Sequence, residues 1–247
     1  HEIYSALGFE KQDWPLLAVL VPYTLIIMLS SYSVCRAMVM PASFLVVLFY
    51  AIYLVVRNGV ISYQKASGLA MFSGIVIFCF YSFIRLKEML PVEEYGYDAI
   101  FFILLILCFA WGGDTCAYFA GRAFGKHKLC PVVSPKKTVE GAVGGVLGTM
   151  VFGVLVTVIY SIAADRMEEF TRSNIGVSMY VIIALLACVA AVLGIYGDLF
   201  ASVVKRQCGI KDYGTIFPGH GGILDRFDSV MFIAPFVTMV VIAAFYD

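Results

Sequence analysis

The sequence from Gly197 to Ser229 reads GDLFASVVKRQCGIKDYGTIFPGHGGILDRFDS and separates two strongly apolar segments. It contains four aspartates, four lysines or arginines and one histidine, in a chain of which only 14% of the residues are charged. So many charges of both signs are concentrated here beside a membrane segment. We therefore expect the functional site in this stretch, and charges of both signs predict a polyanionic ligand together with a metal ion.

The acidic residues at both ends of this stretch have helical spacing. Asp198, Ser202 and Lys205 follow at steps of four and three, so a helix would place a carboxylate, a hydroxyl and an ammonium on one face. Asp225 and Asp228 are three apart at the start of the last apolar segment, where a helix would turn both carboxylates the same way. Converging carboxylates are ligands that Mg²⁺ prefers, while neighbouring bases bind phosphate. The alternative interpretation of Asp225 and Asp228 is that they cap a helix.

A loop with the sequence PGHGG occupies residues 218–222, between these two helical patterns. Its proline and glycines exclude a regular helix and leave backbone N–H groups free to meet phosphate oxygens. His220 lies at the centre of the loop. A simple turn is the alternative for the glycines. Ordinary positive charges on the inner side of a membrane are the alternative for the neighbouring bases.

Three motifs extend this pattern over the chain from Trp111 to the end. Residues 202–228 read S-x-x-K-R-x4-K-D-x5-P-G-H-G-G-x-x-D-R-x-D, residues 134–141 read SPKKTVEG, and residues 111–126 read W-G-G-D-T-x-A-Y-x-x-G-R-x-F-G-K. Together these motifs resemble those of the bacterial phosphatidate cytidylyltransferases, also called CDP-diacylglycerol synthases. The sequence departs from that pattern at Val139, where many members carry Trp, and at Tyr213, where a small residue is common.

The resemblance implies an enzyme of phospholipid biosynthesis that joins CTP and phosphatidic acid into CDP-diacylglycerol and releases pyrophosphate. It implies Mg²⁺ as the cofactor and leaves a second cation open. The residues expected to act on phosphate or in catalysis are Lys205, Arg206, Lys211, Asp212, His220 and Arg226. Those expected to contact substrate are Ser134, Lys136, Lys137, Thr138, Glu140, Ser202, Gly219, Gly221 and Gly222. The expected metal ligands are Asp198 and Asp225, followed by Asp114 and Asp228.

The SPKKTVEG motif has two interpretations. Ser134 followed by Pro135 is a good helix start, which would make Lys136 and Lys137 solvated side chains of a capped helix. We favour phosphate or nucleotide contacts for the two lysines, because two basic loops are expected on one side of the membrane. Glu140 would orient a lysine or accept a hydrogen bond from the cytosine.

The composition predicts an all-α polytopic membrane protein. Hydrophobic residues make up 62% of the 247 residues, which is far above the usage of a soluble domain. Backbone groups in lipid must pair internally, and no alternating barrel pattern is present, so the spans are helices. Seven runs are long enough to cross about 30 Å of hydrocarbon. They are Trp14–Ser31, Ala37–Val56, Ala66–Ile84, Ala99–Ala120, Gly141–Ala164, Gly176–Leu193 and Ser229–Tyr246.

Asp114 lies inside the fourth apolar run, where an ionisable group is costly unless it faces a cavity or a partner. We expect it to face a cavity; a structural hydrogen bond is the alternative. The fifth run places glycines on one side, which predicts close packing against another helix. These glycines are Gly141, Gly144, Gly145 and Gly148.

The distribution of charge predicts the location and the partners. The net charge is zero, so no basic field recruits nucleic acid. With seven crossings, the larger share of the 17 lysines and arginines falls on the side that carries the motif loops. Positive charge is more frequent on the cytoplasmic side, so we expect those loops in the cytoplasm and the protein in the cell (inner) membrane. The seven cysteines contain no C-x-x-C pair and indicate neither a zinc site nor a disulfide framework.

The whole chain is expected to form a single membrane domain, with its motifs at residues 111–229. It begins at His1, and members of the resembled family carry further hydrophobic helices before this point, so we expect N-terminal helices beyond it. A homodimer is left open. Two other functions are considered: a CTP-dependent polyprenol or phytol kinase, and a small transporter coupled to protons or cations. The complete PGHGG signature argues against the kinase, and the number of bases and glycines argues against the transporter.

Overall fold

A computed structural model of the chain describes residues 1–166, 176–216 and 221–245. Gly219 and His220, two of the expected site residues, lie outside the described residues. The helices are α1 (Glu2–Ala6), α2 (Pro15–Ala18), α3 (Leu20–Met28), α4 (Ser33–Val56), α5 (Tyr63–Met89), α6 (Val92–Tyr95), α7 (Asp98–Leu107), α8 (Gly113–Phe124), α9 (Val139–Arg166), α10 (Val177–Gln207), α11 (Leu224–Phe227) and α12 (Val230–Phe245). The two strands are β1 (Lys128–Cys130) and β2 (Ser134–Thr138).

The all-α prediction is confirmed, and the protein is a multi-pass membrane protein. Five helical segments of the described chain are long and apolar enough to cross a membrane. They are Ser33–Val56, Tyr63–Met89, Asp98–Phe124, Val139–Arg166 and Val177–Gln207, which correspond to the second to sixth runs expected from the sequence. The last run appears as α12, which has 16 residues and is shorter than a usual span.

The first apolar run differs from the expectation, because it forms two short helices in place of one span. Helix α2 ends at Ala18 and α3 begins at Leu20. Pro22 has no N–H to donate to the carbonyl of Ala18, so the hydrogen-bond ladder of a continuous helix is interrupted there.

The segment Asp98–Phe124 changes its helical geometry just before Asp114. A π-helical turn at Cys108–Gly112 joins α7 to α8. Such turns are rare and occur frequently at functional sites, because the extra residue rotates the side chains that follow it. Asp114 is the second residue of α8 and is exposed.

A small antiparallel hairpin leads from α8 into α9. Lys128 pairs with Thr138 and Cys130 with Ser134, with an irregular register between the two pairs. Ser134 and Pro135 therefore lie in a strand, and the alternative of a helix that starts at Ser134 is wrong. Helix α9 begins at Val139, where the hydroxyl of Thr138 accepts a hydrogen bond from the N–H of Gly141 at 3.1 Å.

The chain folds into two compact units. The first consists of His1–Tyr81 and Gln207–Asp225, and the second of Ser82–Arg206 and Arg226–Asp247. In the first unit, the hydroxyl of Tyr50 donates to the carbonyl of Leu16, and Arg57 forms an ion pair with the buried Asp13. These bonds tie the chain before α3 to helix α4.

Close packing of α8 against α9 organises the second unit. A β-carbon added to Gly113 would lie 2.6 Å from the hydroxyl oxygen of Thr149, and one added to Gly145 would lie 3.0 Å from the methyl of Ala117. One added to Gly144 would overlap the methyl of Ala120. The two backbones approach closely because the facing residues are small, so the predicted packing role of the α9 glycines is confirmed.

Substitution Gly144→Ala is expected to destabilise the protein by about 1–3 kcal/mol, because the added methyl group would force α8 and α9 apart. Thermal unfolding in detergent measures the effect. The matched control is Gly74→Ala in α5, where an added β-carbon would meet no atom within 4 Å. An unfolding midpoint that is unchanged in Gly144→Ala would contradict the close packing.

Candidate active site

A cluster of carboxylates and bases lies in the second unit. Asp114 comes from α8, Lys137 from β2, and Asp228 from the two residues between α11 and α12. Helix α10 supplies Asp198 and the buried side chains of Ser202 and Lys205. The expectation that Asp198, Ser202 and Lys205 belong to one helix is confirmed, and a bond between the first two side chains shows that they share a face.

Asp198 is held by two partners. Its Oδ2 atom lies 2.5 Å from Nζ of Lys137, and its Oδ1 atom accepts a bond from the hydroxyl of Ser202 at 3.3 Å. The side chains of Lys137 and Asp198 are 24% and 25% exposed, so water screens this ion pair only in part. The pair joins the hairpin to α10 and fixes the position of the Asp198 carboxylate.

Asp228 and Ser229 connect the other two carboxylates of the cluster. The N–H of Ser229 donates to Oδ1 of Asp228 at 2.8 Å, and its hydroxyl donates to Oδ2 of Asp114 at 3.1 Å. Burial raises the pKa of Asp228, and the negative charges of Asp198 and Asp114 raise it further. The three carboxylates therefore interact electrostatically.

Gly197 allows α10 to approach the backbone of Asp228. A β-carbon at this position would lie 2.5 Å from the carbonyl oxygen of Asp228. Only glycine has no side-chain atom to occupy that space. The two aspartates of this region, Asp198 and Asp228, are brought together because their backbones can come this close.

Basic residues surround the carboxylates of the cluster. Lys205 is only 9% exposed, and its charge acts on Asp228. The charges of Lys137 and Arg226 act on Asp114. The carbonyl of Arg226 accepts a bond from the indole N–H of Trp111 at 3.1 Å, which ties the π-helical turn to α11.

The donor set is suited to a divalent cation in its chemistry. Carboxylate oxygens are the ligands that Mg²⁺ prefers. A cavity of about 20 Å³, enough for one water-sized species, is lined by Asp114 and Ser229. Within residues 1–166, 176–216 and 221–245, however, no three His, Cys, Asp or Glu side chains are arranged to hold a metal ion. Lys137 occupies one oxygen of Asp198 in this arrangement.

Asp225 and the described glycines of the loop, Gly221 and Gly222, belong to the first unit. The Oδ2 atom of Asp225 accepts bonds from the N–H of Gly222 at 2.9 Å and of Tyr213 at 2.8 Å. Gly221 has a φ of +84°, and an added β-carbon would lie 2.7 Å from Oδ2 of Asp225, so this position requires glycine. The expected helix across Asp225 and Asp228 is wrong. The four-residue helix α11 ends at Phe227, so Asp228 lies outside it.

The remaining residues expected at the site have different surroundings. Glu140 accepts bonds from the N–H groups of Lys126 and His127, and its Oε1 lies 2.6 Å from Nδ1 of His127. Arg206 is exposed, and its Nε lies 3.5 Å from the carbonyl oxygen of Val133. The side chains of Lys136, Lys211 and Asp212 are exposed, and that of Ser134 is half-buried. Ser229 was missed by the sequence reasoning, although it directly follows Asp228.

An apolar cavity of about 810 Å³ lies in the first unit. Leu20, Leu25 and Phe80 are among its lining residues, and Ile223 and Leu224, which follow the glycine loop, form another part of the wall. Such a lining suits an acyl chain and is unsuited to a nucleotide, which needs polar partners.

The family profile described as "Cytidylyltransferase family" matches residues 1–244. The chain belongs to this family. The phosphatidate cytidylyltransferase of Bacillus subtilis (strain 168) is 32% identical over 191 residues, which are 77% of this chain and 64% of that protein. The phosphatidate cytidylyltransferase of Staphylococcus haemolyticus (strain JCSC1435) is 39% identical over 145 residues, or 59% of this chain and 50% of that protein. The chain thus spans between half and two thirds of the length of these curated relatives.

Removing either member of the Lys137–Asp198 pair is expected to destabilise the protein, because the remaining charge loses its partner in a partly buried site. A double-mutant cycle of Lys137→Gln and Asp198→Asn should give a coupling energy of about 0.5–3 kcal/mol in thermal unfolding. The exposed neighbour Lys136→Gln is the control and should show no coupling to Asp198→Asn. Additive effects of the first two substitutions would contradict the ion pair.

Proposed function

We propose that this chain is the catalytic part of a phosphatidate cytidylyltransferase. A phosphate oxygen of phosphatidic acid attacks the α-phosphorus of CTP. A new P–O bond forms while the bond from the α-phosphorus to its bridging oxygen breaks, and pyrophosphate leaves with the electron pair. The products are CDP-diacylglycerol and pyrophosphate. Membership of the cytidylyltransferase family and the names of the relatives support this reaction.

The observation that carries the proposal is the cluster of Asp114, Asp198 and Asp228 with Lys137 and Lys205, which apolar helices, the hairpin and the turn before α12 bring together. Transfer between two phosphates gathers several negative charges and needs alignment and charge neutralisation more than covalent help from the protein. A partly buried cluster of ammonium groups and carboxylates can supply both. A soluble nucleotide enzyme would not need to build this cluster on membrane-spanning helices.

The bases of the cluster would bind the phosphates. In this proposal Lys205 and Arg226 neutralise phosphate oxygens, and Lys137 exchanges its bond to Asp198 for a bond to the nucleotide. Arg206 and Lys211 add positive charge from the same signature. His220 is not needed as a general base, because a phosphate monoester is largely ionised near neutral pH.

Mg²⁺ is the proposed cofactor, with Asp198, Asp114 and Asp228 as the ligands favoured by the second unit and Asp225 by the signature. When bound, the ion would neutralise charge on the triphosphate and on the leaving pyrophosphate. Release of Asp198 from Lys137 would make one more carboxylate oxygen available to it. The electrostatic interaction of the three carboxylates supports this assignment.

We also propose that the whole chain acts as one catalytic domain in the cell (inner) membrane, with the basic loops in the cytoplasm. The excess of lysine and arginine in those loops supports this orientation. CTP would then arrive from the cytoplasm, and phosphatidic acid from the bilayer. A homodimer is a further proposal, and the mass of the purified protein in detergent distinguishes it from a monomer.

Purified protein in detergent is expected to release pyrophosphate only when CTP, phosphatidic acid and Mg²⁺ are all present. Asp198→Asn and Asp225→Asn should each lower the rate by roughly 100-fold or more, as the loss of preorganised electrostatic groups does in other enzymes. Asp165→Asn, an exposed aspartate near the end of α9, is the matched control and should keep the wild-type rate.

Different products separate the alternatives. Formation of CDP and a phosphorylated lipid alcohol would indicate a lipid kinase. Uptake of a cation without consumption of CTP would indicate a transporter. Pyrophosphate release that persists without lipid would show that the chain hydrolyses CTP and would overturn the proposed transfer.

A further inference from the structure

Glu2 contacts the two residues that follow the glycine loop, although they are more than 200 positions away in the sequence. Its Oε1 atom accepts a bond from the N–H of Ile223, and its Oε2 atom accepts one from the N–H of Leu224, both at 2.8 Å. Hydrogen bonds to an ionised carboxylate are about twice as strong as those between neutral groups. Both oxygens of Glu2 therefore bind the backbone directly after the glycine loop.

The Glu2 carboxylate fits against two glycines. A β-carbon added to Gly222 would have only Glu2 atoms as its three nearest neighbours, at 2.5, 2.7 and 2.7 Å. A β-carbon added to Gly214 would lie 2.8 Å from Oε1 of Glu2. Any side chain at either position would displace the carboxylate. Glycine at these two positions is thus explained by the contact with Glu2.

The position of Glu2 is itself set by packing. Its neighbours in α1, Ile3 and Tyr4, are 5% and 8% exposed, and the Tyr4 hydroxyl donates to the carbonyl of Glu10. The buried neighbours leave Glu2 little freedom to move away from the loop. Helix α1 therefore carries the carboxylate on a fixed support.

Glu2 and Asp225 hold successive parts of the same loop. Asp225 accepts the N–H of Gly222, and Glu2 accepts the next two N–H groups along the chain. Three consecutive backbone amides are thus bonded to two carboxylates. Gly221, with its φ of +84°, directly precedes these amides.

We propose that Glu2 is a positioning residue for the glycine loop of the signature. This inference rests on the proposed function, because it assigns to the loop a part in binding the nucleotide phosphates. Glu2 does not touch substrate in this proposal; it fixes the backbone at residues 222–224, which includes the last glycine of the loop. Loss of this support should weaken the binding of the nucleotide, which raises KM.

Amide hydrogen exchange in the purified wild-type chain and in Glu2→Ala tests the contact directly. Loss of the two bonds should speed exchange at Ile223 and Leu224 by about 10-fold or more, since exchange reports local opening. The control is Glu93→Ala, an exposed glutamate of α6, which should leave exchange at both amides unchanged. Unchanged exchange in Glu2→Ala would overturn the proposal.

A double-mutant cycle of Glu2→Ala and Gly222→Ala supplies a second test that needs no turnover. Gly222→Ala alone should lower the unfolding temperature because its methyl group collides with the carboxylate. In the Glu2→Ala background that collision is absent, so the same substitution should cost less. Additive losses would show that the carboxylate does not occupy the space beside Gly222 and would overturn the proposal.

Steady-state kinetics then separate positioning from a purely structural role. In Glu2→Ala the KM for CTP should rise by about 10-fold, with a smaller change in kcat, because uniform binding of the nucleotide is lost. Glu2→Gln keeps one acceptor oxygen and should lie between wild type and Glu2→Ala. A lower apparent kcat with an unchanged KM would indicate only a smaller folded fraction and would refute positioning.

The three measurements also separate this inference from the proposed function. If the wild-type chain releases no pyrophosphate, the proposed reaction fails. The role of Glu2 in nucleotide binding is then overturned as well, even where hydrogen exchange and the double-mutant cycle show the contact. If the wild-type chain is active and Glu2→Ala has the wild-type KM, only the role of Glu2 is refuted.

Discussion

The ion pair between Lys137 and Asp198 is the interaction on which the candidate site depends. It places a charge from the hairpin against a charge from the longest helix of the described chain, in a partly buried site. An isolated charge there would be costly, so each partner makes the other tolerable. The same carboxylate also accepts the hydroxyl of Ser202, which leaves its orientation little freedom.

Close backbone packing brings the other carboxylates to this pair. The small residues of α8 and α9 let these two helices, and with them Asp114, pack closely within the second unit. Gly197 lets α10 approach the backbone of Asp228. Ser229 then bridges Asp114 and Asp228 with its hydroxyl and its N–H. The cluster thus depends on glycines and other small residues that take no part in its chemistry, since any larger side chain would separate the helices.

The glycine loop of the first unit is organised by a different means. Its backbone amides are held by carboxylates, and its glycines remove the side chains that would compete for the same space. Gly221 also supplies a backbone conformation that other residues rarely adopt. Support of a loop by well-placed acceptors is a general way to keep a binding site preorganised.

The sequence by itself determined the class of the protein and the identity of most groups in the cluster. An apolar content of 62% required membrane helices, and the step of four between Asp198 and Ser202 placed both on one face of a helix. Local spacing holds that information because a helix repeats every 3.6 residues. The expectation failed where a helix was extended from Asp225 through Asp228, because α11 ends at Phe227.

Only the tertiary structure decided which charges are paired. The bond of Lys137 to Asp198, that of Ser229 to Asp114, and that of Glu2 to the amides of the glycine loop join residues far apart in the chain. No periodicity relates such residues, because their contact arises from packing of separate elements. The sequence identified the carboxylates and bases, and the tertiary structure determined which of them form pairs.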